Sequence, residues 1–137
     1  MLSPTASTIR LFLHVLGATV WVGGQIVLAG LVPVVRKEAP GATKAIARAF
    51  ARVAWPAFAL LLVTGIWHLM EIDVTDQSTS YQVTIFVKVA LAMVAGVAVA
   101  VHSIGRSKLA LALGGAIGLL ASLAALFVGV LLRTGLN

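Results

Sequence analysis

LFLHVLGATVWVGGQIVLAGLVPVV, residues 11–35, contains no Asp, Glu, Lys or Arg. Crossing the hydrocarbon core of a bilayer takes roughly 20 residues as a helix, and this stretch exceeds that. Three more long apolar stretches follow, at 53–70, 83–104 and 109–132, and Lys88 is the one Lys, Arg, Asp or Glu among them. Within lipid a helix satisfies its own backbone hydrogen bonds, which makes it the economical spanning form. The rest of the 137-residue chain agrees: 61% of residues are hydrophobic, 10% are charged and the mean hydropathy is +1.09. Soluble domains carry roughly 25% charged residues. The reading is all-α: an integral membrane four-helix bundle, a single four-span domain over 1–137 with spans near 9–35, 53–71, 83–104 and 109–132.

The charges orient the bundle. Arg36, Lys37, Lys44, Arg48 and Arg52 lie between the first two spans, and Arg106 and Lys108 lie between the last two. Glu71, Asp73 and Asp76 occupy the remaining connection, which carries no Lys or Arg. Seven of the ten basic residues thus share one side, which positive-inside bias makes cytoplasmic, with both termini outside. A bacterial cytoplasmic (inner) membrane, crossed several times, is the expected location. The net charge of +6 is accordingly a topology signal, and no soluble basic surface remains for nucleic acid. The first apolar run is too long for a secretory core of roughly 7–15 residues, so it reads as a span and not as a cleaved leader. With no Cys, disulfides and thiolate ligands are excluded.

The connections carry their own signals. Lys44, Arg48 and Arg52 recur every four residues, with Ile46, Ala49, Phe50 and Val53 opposite. That pattern reads as a basic amphipathic helix at the cytoplasmic surface, attracted to anionic lipid or a partner protein. Trp67 and Tyr81 are placed to anchor at the outer interface. Pro56 is expected in the first turns of the second span, where a missing N–H is tolerated. Gly114, Gly118 and Ser122 form a small-residue stripe suited to close helix packing, within the bundle or in a homodimer. Ala121, Ala125 and Gly129 form a second stripe, and Ala92, Gly96 and Ala100 a third.

Ionisable groups inside a span are costly and single out function. His14 lies one to two turns below the outer end of span one, and His68 three residues before Glu71 at the outer end of span two. Their depths agree to within about a turn. His102 falls at the opposite, cytoplasmic end, beside Arg106 and Lys108, where an interfacial role suffices. Gly17 and Gly65 each stand three residues from one of the paired histidines, on the same face, giving clearance for a flat macrocycle or for close helix packing. Arg10, one turn above His14, and Lys88, a few residues into span three, are candidates for haem propionates; Lys88 could equally snorkel outward. Trp21 continues the inward face below His14. The expectation is b-type haem held by His14 and His68. Copper on the same histidines with Met70 is the alternative, weakened by the scarcity of soft ligands. A non-catalytic accessory subunit of a larger complex is the third reading.

LHVLGATVWVGG (13–24) resembles the first span of the bacterial copper-resistance D family, and also a related family of membrane protoporphyrinogen oxidases that bind b-type haem. RAFARVAWPAF (48–58), followed by TGIW (64–67), resembles the copper-resistance pattern leading into its second span. FVKVALAMVAGVAVAVH (86–102) resembles the third span of either family, and His14 with Lys88 matches the oxidase family's histidine and lysine. The resemblance implies a metal or haem centre in the outer leaflet serving electron transfer, redox sensing or copper handling, with a redox or copper partner. The oxidase family's continuation past the first tryptophan-glycine pair is lacking, so protoporphyrinogen oxidation is not carried over. A stand-alone enzyme is not expected.

Overall fold

The computed structural model describes residues 3–135, and among them it is all-helical. Helix α1 (Ala6–Ala18) passes through a π-helical turn at Thr19–Gly23 into α2 (Gly24–Glu38). A 3-10 turn at Pro40–Ala42 leads into α3 (Thr43–Met70), followed by α4 (Thr79–Ile104) and α5 (Lys108–Thr134). Four helical segments, Ala6–Glu38, Pro40–Met70, Thr79–Ile104 and Lys108–Thr134, are long and apolar enough to cross a membrane. Phe12, Phe86 and Phe127 are exposed on them, as lipid-facing side chains would be. The chain divides into two compact units, one ending at Ile72 and the other beginning at Asp73.

Local chemistry sets the element ends. The Thr5 hydroxyl accepts from the Thr8 amide (3.2 Å) while the Thr8 hydroxyl accepts from the Thr5 amide (3.3 Å), closing the start of α1. Ser78 and Ser107 cap α4 and α5 by accepting from the amides of Tyr81 and Ala110. The π turn widens the helix, and the Gln25 side-chain amide donates to the Trp21 carbonyl at 3.0 Å.

Two expectations change here. The basic stretch Lys44–Arg52 is helical and forms the opening turns of α3, continuous with the apolar segment that follows and not an element of its own between two spans. Pro56 consequently lies in the interior of α3, not in its first turns.

The second unit is a hairpin of α4 and α5 closed on small residues. Ala95, Gly96 and Ala98 are buried on α4, and Gly114, Gly118, Ala121 and Ser122 on α5. A Cβ on Gly114 would stand 2.8 Å from both the Ala98 carbonyl oxygen and the His102 amide nitrogen. A Cβ on Gly118 would meet Val99 Cγ2 at 2.7 Å. The Gly114–Gly118–Ser122 stripe is therefore engaged inside the hairpin, the first of its two expected uses; the small side chains let the backbones approach, and dispersion rewards the contact.

Gly114→Leu must push α5 away from backbone atoms that cannot yield. A loss of about 1–3 kcal/mol is expected in detergent unfolding titrations, whereas Gly30→Ala, with open space around it, should unfold like the parent. In the loop before α4, the Thr75 hydroxyl (2.6 Å) and amide (3.2 Å) donate to Asp73 and hold its carboxyl below the ordinary range. The folded value is depressed, so the turn gains stability above the unfolded pKa and loses it as pH falls through the folded one. Thr75→Val should raise the Asp73 midpoint in a carboxyl 13C titration; an unmoved midpoint would contradict this assignment.

Candidate functional site

In the first unit α1 and α3 lie antiparallel, and their facing turns meet at intervals of three or four residues. Arg10 meets His68, His14 meets Thr64, and Gly17 meets Leu61. Trp21 then packs on Phe58 (ring centroids 4.5 Å apart) and Trp55 (5.6 Å), and Gly24 seats the Phe50 ring. The turns of this seam from Arg10 to His14 are polar, and those from Trp21 to Gly24 are packed on aromatic rings.

Thr64 anchors the polar part. It is 2% exposed, and its hydroxyl lies 2.7 Å from the Leu60 carbonyl oxygen and 3.3 Å from that of Leu61. Each of those contacts requires the single hydroxyl hydrogen, so the oxygen acts as acceptor toward His14 Nδ1, 2.8 Å away. His14 therefore carries its proton on Nδ1, and its lone pair, when neutral, is on Nε2. A metal-ligating histidine has this arrangement, with its other nitrogen donating to a fixed acceptor.

His68 has the opposite tautomer. Arg10 Nε–H donates to His68 Nδ1 at 3.1 Å, which places the ring proton on Nε2. Arg10 is 6% exposed and held from several sides: its guanidinium stands 3.6 Å from Glu71 Oε2 and 5.7 Å from the Trp67 ring centre. Trp67 Nε1–H in turn donates to Glu71 Oε1 at 3.3 Å. A buried arginine in an apolar span requires such pairing. Because the Glu71 side chain is 54% exposed, solvent screens the ion pair, and the His68 bond and the Trp67 face share the work of holding the guanidinium.

The sequence-selected residues therefore separate. His14, His68, Arg10, Gly17, Gly65 and Trp21 all stand on the α1–α3 seam. Arg10 is already engaged by protein groups, not presented to a propionate. A Cβ on Gly17 would lie 3.0 Å from the Ala57 carbonyl oxygen and 3.1 Å from Leu61 Cγ, so this glycine serves helix approach. A Cβ on Gly65 would lie 3.8 Å from His14 Cε1, where the imidazole itself takes the room expected for a macrocycle. Trp21, 2% exposed, closes the seam below. Lys88 belongs to the second unit, against Gly129. His102, also there, donates from Nδ1 to the Leu111 carbonyl at 2.6 Å, with its ring in the notch left by Gly115.

A haem clamped between α1 and α3 by both histidines does not fit these residues. The two helices are in direct hydrogen-bond contact at both levels, and His68 Nε2 holds a proton while Arg10 donates to Nδ1. Of these two histidines only His14 has its proton on Nδ1 and its lone pair on Nε2; His102, in the second unit, shares that tautomer. The copper alternative finds Met70 81% exposed and two residues from His68, on a different face. Among the described residues no group of three or more His, Asp or Glu is gathered as a metal cage.

Thr64, Trp67 and Glu71 escaped sequence reasoning as site members. Thr64 had a readable signal: a hydroxyl residue one turn before His68 in an apolar run. Comparison with family models, curated proteins and solved structures finds no match to this chain, so the chemistry rests on these side chains. Thr64→Val keeps the shape and removes the acceptor for His14. It is expected to cost about 1–3 kcal/mol in detergent unfolding titrations, the penalty for a buried donor left unpaired.

Proposed function

We propose that this chain is a multi-pass protein of a bacterial cytoplasmic membrane that carries a redox-active b-type haem on a single histidine, His14, near the outer face. The observation that carries this reading is the 2.8 Å contact of His14 Nδ1 with the Thr64 hydroxyl, whose own hydrogen goes to the Leu60 carbonyl, 2.7 Å away. That chain of donors presents Nε2 as the coordinating nitrogen and resists rotation of the ring. Bound haem supplies a one-electron couple, which suits electron transfer or redox sensing at the outer surface. The remaining residues tune and hold. Arg10 donates to His68 Nδ1 and so fixes that ring one turn from His14. Glu71 and Trp67 keep the guanidinium in place. Trp21, Trp55 and Phe58 seal the polar seam from the inner half of the span.

The test is an absorption spectrum of protein purified after haem-replete expression. A Soret band is expected, abolished by His14→Ala and kept by His68→Gln. Absence of the band in the parent would overturn the haem reading. Equal loss in both variants would restore the two-histidine clamp and overturn the single-ligand assignment.

A further inference from the structure

Lys88 stands nine residues into α4, about 13 Å along the helix from Thr79, with Val87, Val89 and Ala90 as neighbours. Its stem crosses to α5: a Cβ on Gly129 would lie 3.3 Å from both Lys88 Cε and Nζ. The missing side chain of Gly129 thus makes the seat for the amine. Among the described residues Lys88 has no hydrogen-bond or ion-pair partner, and its own unit has only Asp73 and Asp76 as acids, both in the loop before α4. An amine lodged in an apolar hairpin needs a counter-charge. One turn farther out on the same face is Thr84, which lines a cleft of about 240 Å³ with Ser78, Ser80, Tyr81, Leu131 and Leu132. The hydroxyls of Ser80 and Tyr81 make no hydrogen bond among the described residues; Lys88 does not itself line this cleft but follows Thr84, a lining residue, by one helical turn.

We infer that the outer end of the α4–α5 hairpin binds a phosphate-class anion, with Lys88 at the floor of the site and the Ser80 and Tyr81 hydroxyls at its mouth. The shared chemistry is a phosphate oxygen, supplied by the headgroup of an anionic phospholipid or by inorganic phosphate. The site belongs to the second unit and holds whether or not His14 carries haem.

The full chain in nanodiscs tests this in two arms. In one, retention of phosphatidylglycerol against phosphatidylcholine is read by native mass spectrometry. In the other, inorganic phosphate is titrated into phosphatidylcholine discs and followed by 31P NMR. Lys88→Met should weaken the anion by about tenfold or more, the loss of one charge-assisted contact, while Lys88→Arg and Arg133→Gln should bind like the parent. Loss confined to the first arm identifies a lipid, and loss confined to the second identifies free phosphate. Should Lys88→Met fail to fold, Gly129→Val fills the seat while keeping the charge, and the same weakening is expected. Anion binding unchanged in Lys88→Met or Gly129→Val, equal loss in Arg133→Gln, or no binding in either arm would overturn the assignment.

Discussion

A threonine hydroxyl has one hydrogen. In the first unit that hydrogen is committed to the Leu60 carbonyl, and the electrostatics of the site follow from it. The Thr64 oxygen can only accept from His14, which fixes the His14 proton on Nδ1 and leaves Nε2 as the basic nitrogen. Removing a polar partner is costly in a span that offers no water in exchange, so the arrangement is held more firmly than a surface hydrogen bond would be.

The same antiparallel register that seats His14 on Thr64 delivers Arg10 to His68 one turn away, toward the start of α1. Arg10 supplies the charge and His68 the lone pair; neither would be stable at this depth alone. The outcome is two imidazoles of opposite tautomer on one seam, one with a basic Nε2 and the other with a protonated Nε2. Such a pair is chemically unequal. Gly17 and Gly24 make the register possible: a side chain at Gly17 would press on the Ala57 backbone, and one at Gly24 on the Phe50 ring.

The helical class and the positions of the apolar segments were readable in the sequence, because runs such as 11–35 admit little else. The shared depth of His14 and His68 was also legible, since charge placement and helix rise suffice to compute it. Their hydrogen-bond partners were not. Whether a histidine donates or accepts depends on which residue the neighbouring helix presents, and Thr64 and Arg10 become neighbours of these rings only through packing. The glycines misled for a related reason. A missing side chain makes room for a cofactor or for a helix, and spacing alone cannot distinguish the two; Gly17 and Gly114 both face backbone atoms. The basic stripe from Lys44 to Arg52 was legible as a helix, but its continuity with α3 depended on the absence of a break, which pattern alone left open.

The central claim is the unequal protonation of the two imidazoles, and 15N NMR of histidine-labelled protein in lipid at neutral to mildly alkaline pH addresses it most directly. The account requires His14 to be protonated at Nδ1 with an unprotonated Nε2, and His68 to be protonated at Nε2 with an unprotonated Nδ1. Two rings of the same tautomer, or the reverse assignment, would contradict it.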